Sequence, residues 1–224
     1  VTYALQFGQV TRFLPYLAVG GLVSLVLAFL AFAGGMVLGV LGAMATSFGP
    51  RPLRRAVRAY VVFFTNTPQL VQIYFLFFVL PQIGILLSPF QAVLLGMTLN
   101  AGAYLTEIQR AGFESVPRQE LDAAETLGMS LTQAVRFVIL PHVARTLFAP
   151  LSNQYIIMVL GTSMAAVFGV EELTGRAFSV NAETFRSIEV FSIIAVLYVA
   201  ITLIATLLLA TLGRVLFRVR MRVL

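Results

Sequence analysis

The chain has 224 residues, 59% of them hydrophobic and only 11% charged, with a mean hydropathy of +0.95. Soluble domains carry about 25% charged residues, so this composition excludes an ordinary soluble protein. Cysteine is absent and histidine occurs once, at His142, which excludes a disulfide framework, a thiol nucleophile and a multi-histidine metal site. Charges then divide what remains. No acid or base lies between Arg12 and Arg51, between Arg58 and Glu107, between Arg145 and Glu171, or between Glu189 and Arg214. A membrane-crossing helix needs about 20 apolar residues. The first gap predicts one long helix over 15–48, too long to be a cleavable signal peptide. The second gap is too long for one span, and Pro81, Gly84 and Ser88-Pro89 divide it into spans over 60–80 and 89–108. The third predicts a span over 150–169 and the fourth a span over 190–213. The expected fold class is an all-α integral membrane protein with five transmembrane helices, forming one domain over 1–224.

Five spans place the termini on opposite sides. Twelve of the 15 basic residues, all of which are arginine, then fall on one side: the groups at 51–58, 110–145 and 214–222. Arg12, Arg176 and Arg186 fall on the other. The positive-inside rule puts the larger set in the cytoplasm, with the N-terminus outside and the C-terminus inside. The net charge of +6 therefore reads as a topology signal or an attraction for anionic lipid, not for nucleic acid. Arg214, Arg218, Arg220 and Arg222 form a basic end suited to a lipid surface.

The segment 109–148 becomes the main cytoplasmic loop. Pro117 suits the first turn of a helix. Leu121, Ala124 and Leu127 recur on one face, with Gln119, Glu120, Asp122 and Glu125 filling the rest. Gly128 is a natural stop. Ser130 and Gln133 form a capping box that starts a second helix, and Pro141 limits or bends it. A basic helix would suit the lipid surface; this one is acidic, with Glu114, Glu120, Asp122 and Glu125 within twelve residues. It suits docking in a basic groove of a partner protein.

Asp122-Ala123-Ala124, Gly128, Val138 and Leu140-Pro141 match the spacing of the EAA loop of importer-type ABC transporter permeases, with Asp for Glu and Val for Ile. The stretches 60–81, 103–117, 151–164 and 170–174 resemble permeases of the polar amino acid uptake family. The resemblance implies a type I ABC importer permease fold in the bacterial inner membrane, five spans and an external N-terminus. It implies a second permease subunit, identical or not, two cytoplasmic ATPases and an external substrate-binding protein. No G-x-x-x-x-G-K-[ST] loop is present. ATP and Mg would bind the ATPases, this chain would hold no cofactor, and it would not be an enzyme. Asp122, Ala123, Ala124, Glu125, Gly128, Leu140 and Pro141 would then form the joint that couples ATPase closure to the permease.

Polar groups within the spans are candidates for a substrate path, since each is costly in lipid. They are Asn66, Thr67, Pro68, Gln72, Asn100, Gly161, Thr162 and Ser163. Pro68 frees a carbonyl one turn earlier, so a kink satisfied by neighbouring helices is the competing reading. Asn100 and Gly102 suit close helix packing. Glu107 suits a paired charge at a helix end. The family it resembles carries Lys-Asp before Thr-Ser where this chain has Leu160-Gly161, so the resemblance implies that the carboxylate for a cationic substrate is missing from this subunit. Glu171, Glu172 and Thr174 lie at the external mouth, as a helix cap or a binding-protein contact. The segment 175–189 reads as an external loop with a short interfacial helix. A passive channel or a non-transporting scaffold are the alternatives; neither needs the coupling spacing.

Overall fold

The computed structural model describes residues 4–217, and among them every regular element is helical. Arg218, Arg220 and Arg222 of the basic C-terminal end lie outside the described residues. The helices are α1 Gly8–Thr11, α2 Leu14–Phe48, α3 Arg51–Thr65, α4 Gln69–Tyr74 and α5 Pro89–Glu114. They continue with α6 Arg118–Thr126, α7 Leu131–Ala134, α8 Leu140–Gly161, α9 Leu173–Thr184 and α10 Ser187–Phe217. Two compact units form. One comprises the residues up to Ala33, Thr67–Thr98 and Tyr155–Ala205; the other comprises Gly34–Asn66, Leu99–Gln154 and the residues from Thr206.

In the first unit, α2, α9 and α10 meet over Leu17, Leu173, Ala177, Val180, Val190 and Ile194, all buried. Small residues on α2 permit the approach. A Cβ at Gly20 would stand 3.0 Å from Leu173 Cα, and one at Gly21 would stand 2.9 Å from Ile201 Cδ1. Tyr74 and Phe77 pack edge-on against Phe168 with centroids 5.0 and 5.7 Å away. In the second unit, α5 lies against α2 and α3 by the same device. Gly35 faces Ala101, Gly39 faces Leu105, and Gly102 faces both Leu38 and the Tyr60 hydroxyl, where a Cβ would come within 2.7–2.8 Å of each. Gly102 thus serves the close packing expected of it.

Three helices among the described residues are long and apolar enough to cross a membrane: Leu14–Phe48, Leu131–Phe168 and Ser187–Leu216. The broken pair Arg51–Thr65 and Gln69–Ile83 makes a fourth if it counts as one span. The helix α5 has 26 residues, but its polar side chains keep it out of that set.

Several boundaries differ from expectation. The predicted helix over 60–80 starts at Arg51, stops at Thr65 and restarts at Gln69, so Pro68 breaks the helix outright. It then passes through a π turn, Phe75–Val79, and a 3-10 turn, Leu80–Ile83. The predicted span over 150–169 is the end of a helical run from Leu131 to Phe168. Pro141 does not stop this run. It follows a π turn, Val135–Ile139, that absorbs the missing N–H and the crowded carbonyl. The short helix expected within 175–189 is α9, which starts earlier, at Leu173, and is packed rather than interfacial, with Leu173, Ala177 and Val180 buried.

Candidate coupling segment and polar groups of the spans

The segment around α6 is built by local rules. Pro117, extended at φ −63° and ψ 134°, caps α6 rather than occupying its first turn. The helix ends at Gly128, whose φ of +69° is the left-handed conformation that favours glycine. There the Gly128 N–H donates to the Glu125 carbonyl at 2.9 Å, and the Met129 N–H to the Ala124 carbonyl at 3.0 Å. This reverse turn satisfies the last carbonyls. Ser130 and Gln133 then make both bonds of the capping box, at 2.8 and 3.4 Å.

Of the predicted apolar face, Ala124 is buried, while Leu121 and Leu127 are exposed. Asp122, Ala123 and Glu125 are exposed as well. Among the described residues neither the Asp122 nor the Glu125 carboxylate has a side-chain partner in the chain. A pair missed in the sequence joins α6 to α8: Glu120 lies 3.5 Å from His142 Nδ1, one residue past Leu140-Pro141. Glu114 belongs to the end of α5, where it and Glu107 both bind Arg110 at 2.6–2.8 Å. The hydrogen bonds with Glu107, and then Glu114, push the Arg110 guanidinium further above its already high range.

The break at residues 66–68 uses most of the polar groups assigned to a path. Pro68 cannot donate to the Phe64 carbonyl, and Asn100 Nδ2 donates to it instead at 3.1 Å. The Tyr104 hydroxyl donates to the Thr65 carbonyl at 3.4 Å, and the Tyr60 hydroxyl to the Leu99 carbonyl at 2.6 Å. Asn66 Nδ2 turns back to the Val62 carbonyl at 2.8 Å. Gln72 is buried and donates to Thr67, at 3.1 Å to its carbonyl and 2.7 Å to its hydroxyl. The Thr162 hydroxyl is buried and donates to the Val159 carbonyl at 2.7 Å. Ser163 is half-buried beside it. A Cβ at Gly161 would meet Gln69 Oε1 at 3.8 Å, so Gln69 is a polar neighbour that sequence reasoning overlooked.

The start of α9 holds a buried carboxylate. Glu172 is fully buried. It accepts from the Ser24 hydroxyl at 3.0 Å, the Tyr198 hydroxyl at 3.0 Å and the Gly175 N–H at 2.9 Å. Ser24 also accepts from the Leu173 N–H at 3.2 Å, and Thr174 pairs with Tyr198 at 2.8 Å. Of the two roles open to Glu172, the geometry is that of a helix cap, and the side chain presents no surface to an outside partner. Glu171 does: its side chain is exposed and sits 3.8 Å from Arg176.

An acidic helix that leaves Asp122, Ala123 and Glu125 exposed and ends on a left-handed glycine accompanies helices long and apolar enough to cross a membrane. Residues 35–219 match the family of binding-protein-dependent transport system inner membrane components, and the chain belongs to that family. It is a permease subunit of an ABC importer, with ATP hydrolysis left to a separate subunit. It is 35% identical over 203 residues to the glutamine transport system permease protein GlnP of Escherichia coli (strain K12), covering 90% of this chain and 93% of that one. It is 36% identical over 181 residues to the L-cystine transport system permease protein TcyB of Bacillus subtilis (strain 168), covering 81% and 77%. The fold superimposes on the crystal structure of an amino acid ABC transporter with histidines at a TM-score of 0.89 and 30% identity, over 96% of this chain and 100% of that one. The inward-facing methionine ABC transporter MetNI shares the fold at a TM-score of 0.66 and 20% identity, over 86% and 94%.

Proposed function

We infer that this chain carries polar amino acids across the bacterial inner membrane, as one of two permease subunits that share two cytoplasmic ATPases and an external binding protein. ATP and Mg bind those ATPases and not this chain. In this reading the chain forms a single transmembrane domain with five spans, the N-terminus outside and the C-terminus in the cytoplasm. The segment 109–148 is its coupling loop. The supporting observation is the exposure of Asp122, Ala123 and Glu125 between Pro117 and the left-handed Gly128. A free carboxylate on a helix held between fixed turns suits a charge-assisted contact with a basic cleft. Closure of that cleft then moves α6, and with it α8 through Leu140-Pro141 and the His142–Glu120 pair. Asn66, Thr67, Gln72 and Asn100 stabilise the break between α3 and α4, which sets where backbone approaches the path. Gly161, Thr162 and Ser163 form a neutral wall, which favours zwitterionic substrates over bare cations. Glutamine and cystine, named for the relatives, are of that kind.

The test is uptake of labelled glutamine and cystine by the complex reconstituted with its ATPase and binding protein. Uptake that needs both proteins and ATP supports the reading. Equal flux without ATPase would make the protein a passive channel, and no flux of any amino acid would make it a scaffold or a carrier of another solute.

A further inference from the structure

The first two turns of α3 carry Arg51, Arg54, Arg55 and Arg58, at the i, i+3, i+4 and i+7 positions of one helix face. Among the described residues none of the four has a carboxylate partner, whereas Arg12, Arg110, Arg176 and Arg186 each have one. Arg54 is held across the turn from α2 by one bond to the Gly49 carbonyl at 3.2 Å, and its Nε is buried without an acceptor. Arg58 borders a cavity of about 670 Å³ between the end of α2, α3 and the end of α5. The acids in that cavity, Glu107 and Glu114, are taken by Arg110. Its Thr46 hydroxyl is taken by the Gly42 and Ala43 carbonyls at 2.9 and 3.0 Å. Two donors remain, the Arg58 guanidinium and the Ser47 hydroxyl, flanked by the rings of Phe48 and Phe113.

The basic band gives way, one turn further along the same helix, to Val62 and Phe63, exposed at 60% and 57%. Phe48, at the end of α2, is 81% exposed. Charge followed directly by exposed apolar surface is the arrangement of the boundary between lipid headgroups and hydrocarbon, where arginine clusters attract anionic headgroups. An acidic protein surface would match the charge but would leave the adjoining apolar side chains uncovered. A free phosphate would do the same.

We propose that Arg51, Arg55 and Arg58, with Ser47, form a binding site for the phosphate of an anionic phospholipid. The headgroup enters the cavity beside Arg58, and the acyl chains run along Phe48, Val62 and Phe63. Arg54 adds charge from behind. The proposal rests on the reading that α3 enters the membrane from its Arg51 end. Labelling of single cysteines tests that reading separately.

The experiment uses the complete permease–ATPase complex in micelles doped with phosphatidylglycerol or phosphatidylcholine, with retained lipid counted by native mass spectrometry. Each arginine near an anionic surface contributes about five-fold in affinity. Arg58→Gln should therefore weaken phosphatidylglycerol retention by about five-fold, and the triple change of Arg51, Arg55 and Arg58 to Gln by about 100-fold. The triple change to Lys should retain most of it, which separates lost charge from lost fold. Arg12→Gln, at a paired arginine, should change nothing. Three results overturn the proposal: unchanged retention in the triple Gln variant, equal retention of phosphatidylcholine by the wild type, or full competition by glycerol phosphate. Loss of the ATPase from the triple Gln variant with lipid retention intact would overturn it too, and would make the stripe a protein interface.

Discussion

Glu172→Ala removes one acceptor from three donors. In the wild type the carboxylate is fully buried and holds the Ser24 hydroxyl, the Tyr198 hydroxyl and the Gly175 N–H. After truncation, Ser24 keeps the Gly20 carbonyl at 3.2 Å and Tyr198 keeps Thr174 at 2.8 Å. The penalty therefore concentrates on the Gly175 N–H and on the vacated volume. Loss of an N-cap costs about 0.5–2 kcal/mol and an unsatisfied buried donor about 1–3 kcal/mol. These overlap at Gly175, so the seat of α9 weakens by about 2–3 kcal/mol. That corresponds to about a 30- to 150-fold larger population in which α9 is lifted.

The chain has no cysteine, so Ala177→Cys places a single thiol on the buried face of α9, where Ala177 is 0% exposed. With opening fast relative to labelling, the maleimide rate follows that population. The rate should rise about 30- to 150-fold in the Glu172→Ala background. Glu172→Gln keeps a carbonyl for the Gly175 N–H and an amide that donates to hydroxyl oxygens, so its rate should stay within about five-fold of wild type. An unchanged rate in the alanine variant, or equal rates in both variants, would refute the idea that this carboxylate seats the helix.

A cysteine at the exposed Ser179 should react with an impermeant reagent added outside intact cells, and one at the exposed Thr126 should not; the reverse pattern would overturn the orientation. At Gly128, φ is +69° and a Cβ would meet nothing within 4 Å, so Gly128→Val acts through backbone strain alone, at about 1–2 kcal/mol. Normal insertion with lost transport and weaker ATPase co-purification is expected, and transport at the normal rate would show that this turn is not part of the joint. At Gly161, a Cβ would make only ordinary contacts with Met164 and Gln69, at 3.7 and 3.8 Å. Gly161→Asp should therefore fit and shift uptake toward arginine over glutamine when one binding protein accepts both; an unchanged ratio would mean the position does not face the substrate.

Features made by residues close in sequence were legible beforehand. The long apolar run of α2, the glycine stop at 128 and the capping box at Ser130-Gln133 each depend on partners within a few residues or on the absence of charge. Even the carbonyl freed by Pro68 was readable, because the helical repeat names it. The residue that satisfies it was not. Asn100 lies 36 positions beyond Phe64, and no local rule selects it.

Glu172 shows the same limit more sharply. In sequence it is one of two adjacent carboxylates near a helix start, with equal claims to cap and to contact. Burial separates them, because Gly20 lets α2 close on the start of α9 and so brings Ser24 to Glu172 across 148 positions. Polar side chains in the spans were candidates for a path, since each is costly in lipid, with a satisfied kink or close helix packing as the competing readings. The tertiary structure turns Gln72 onto Thr67, Asn100 onto a broken helix end and Thr162 onto its own helix. The sequence determined where the chain is apolar, where it turns and where an acidic helix stops at a glycine, since those follow from nearest neighbours along the helix. Which polar groups face inward, and what they bond, was decided only when the helices packed, because that choice depends on the faces their neighbours cover.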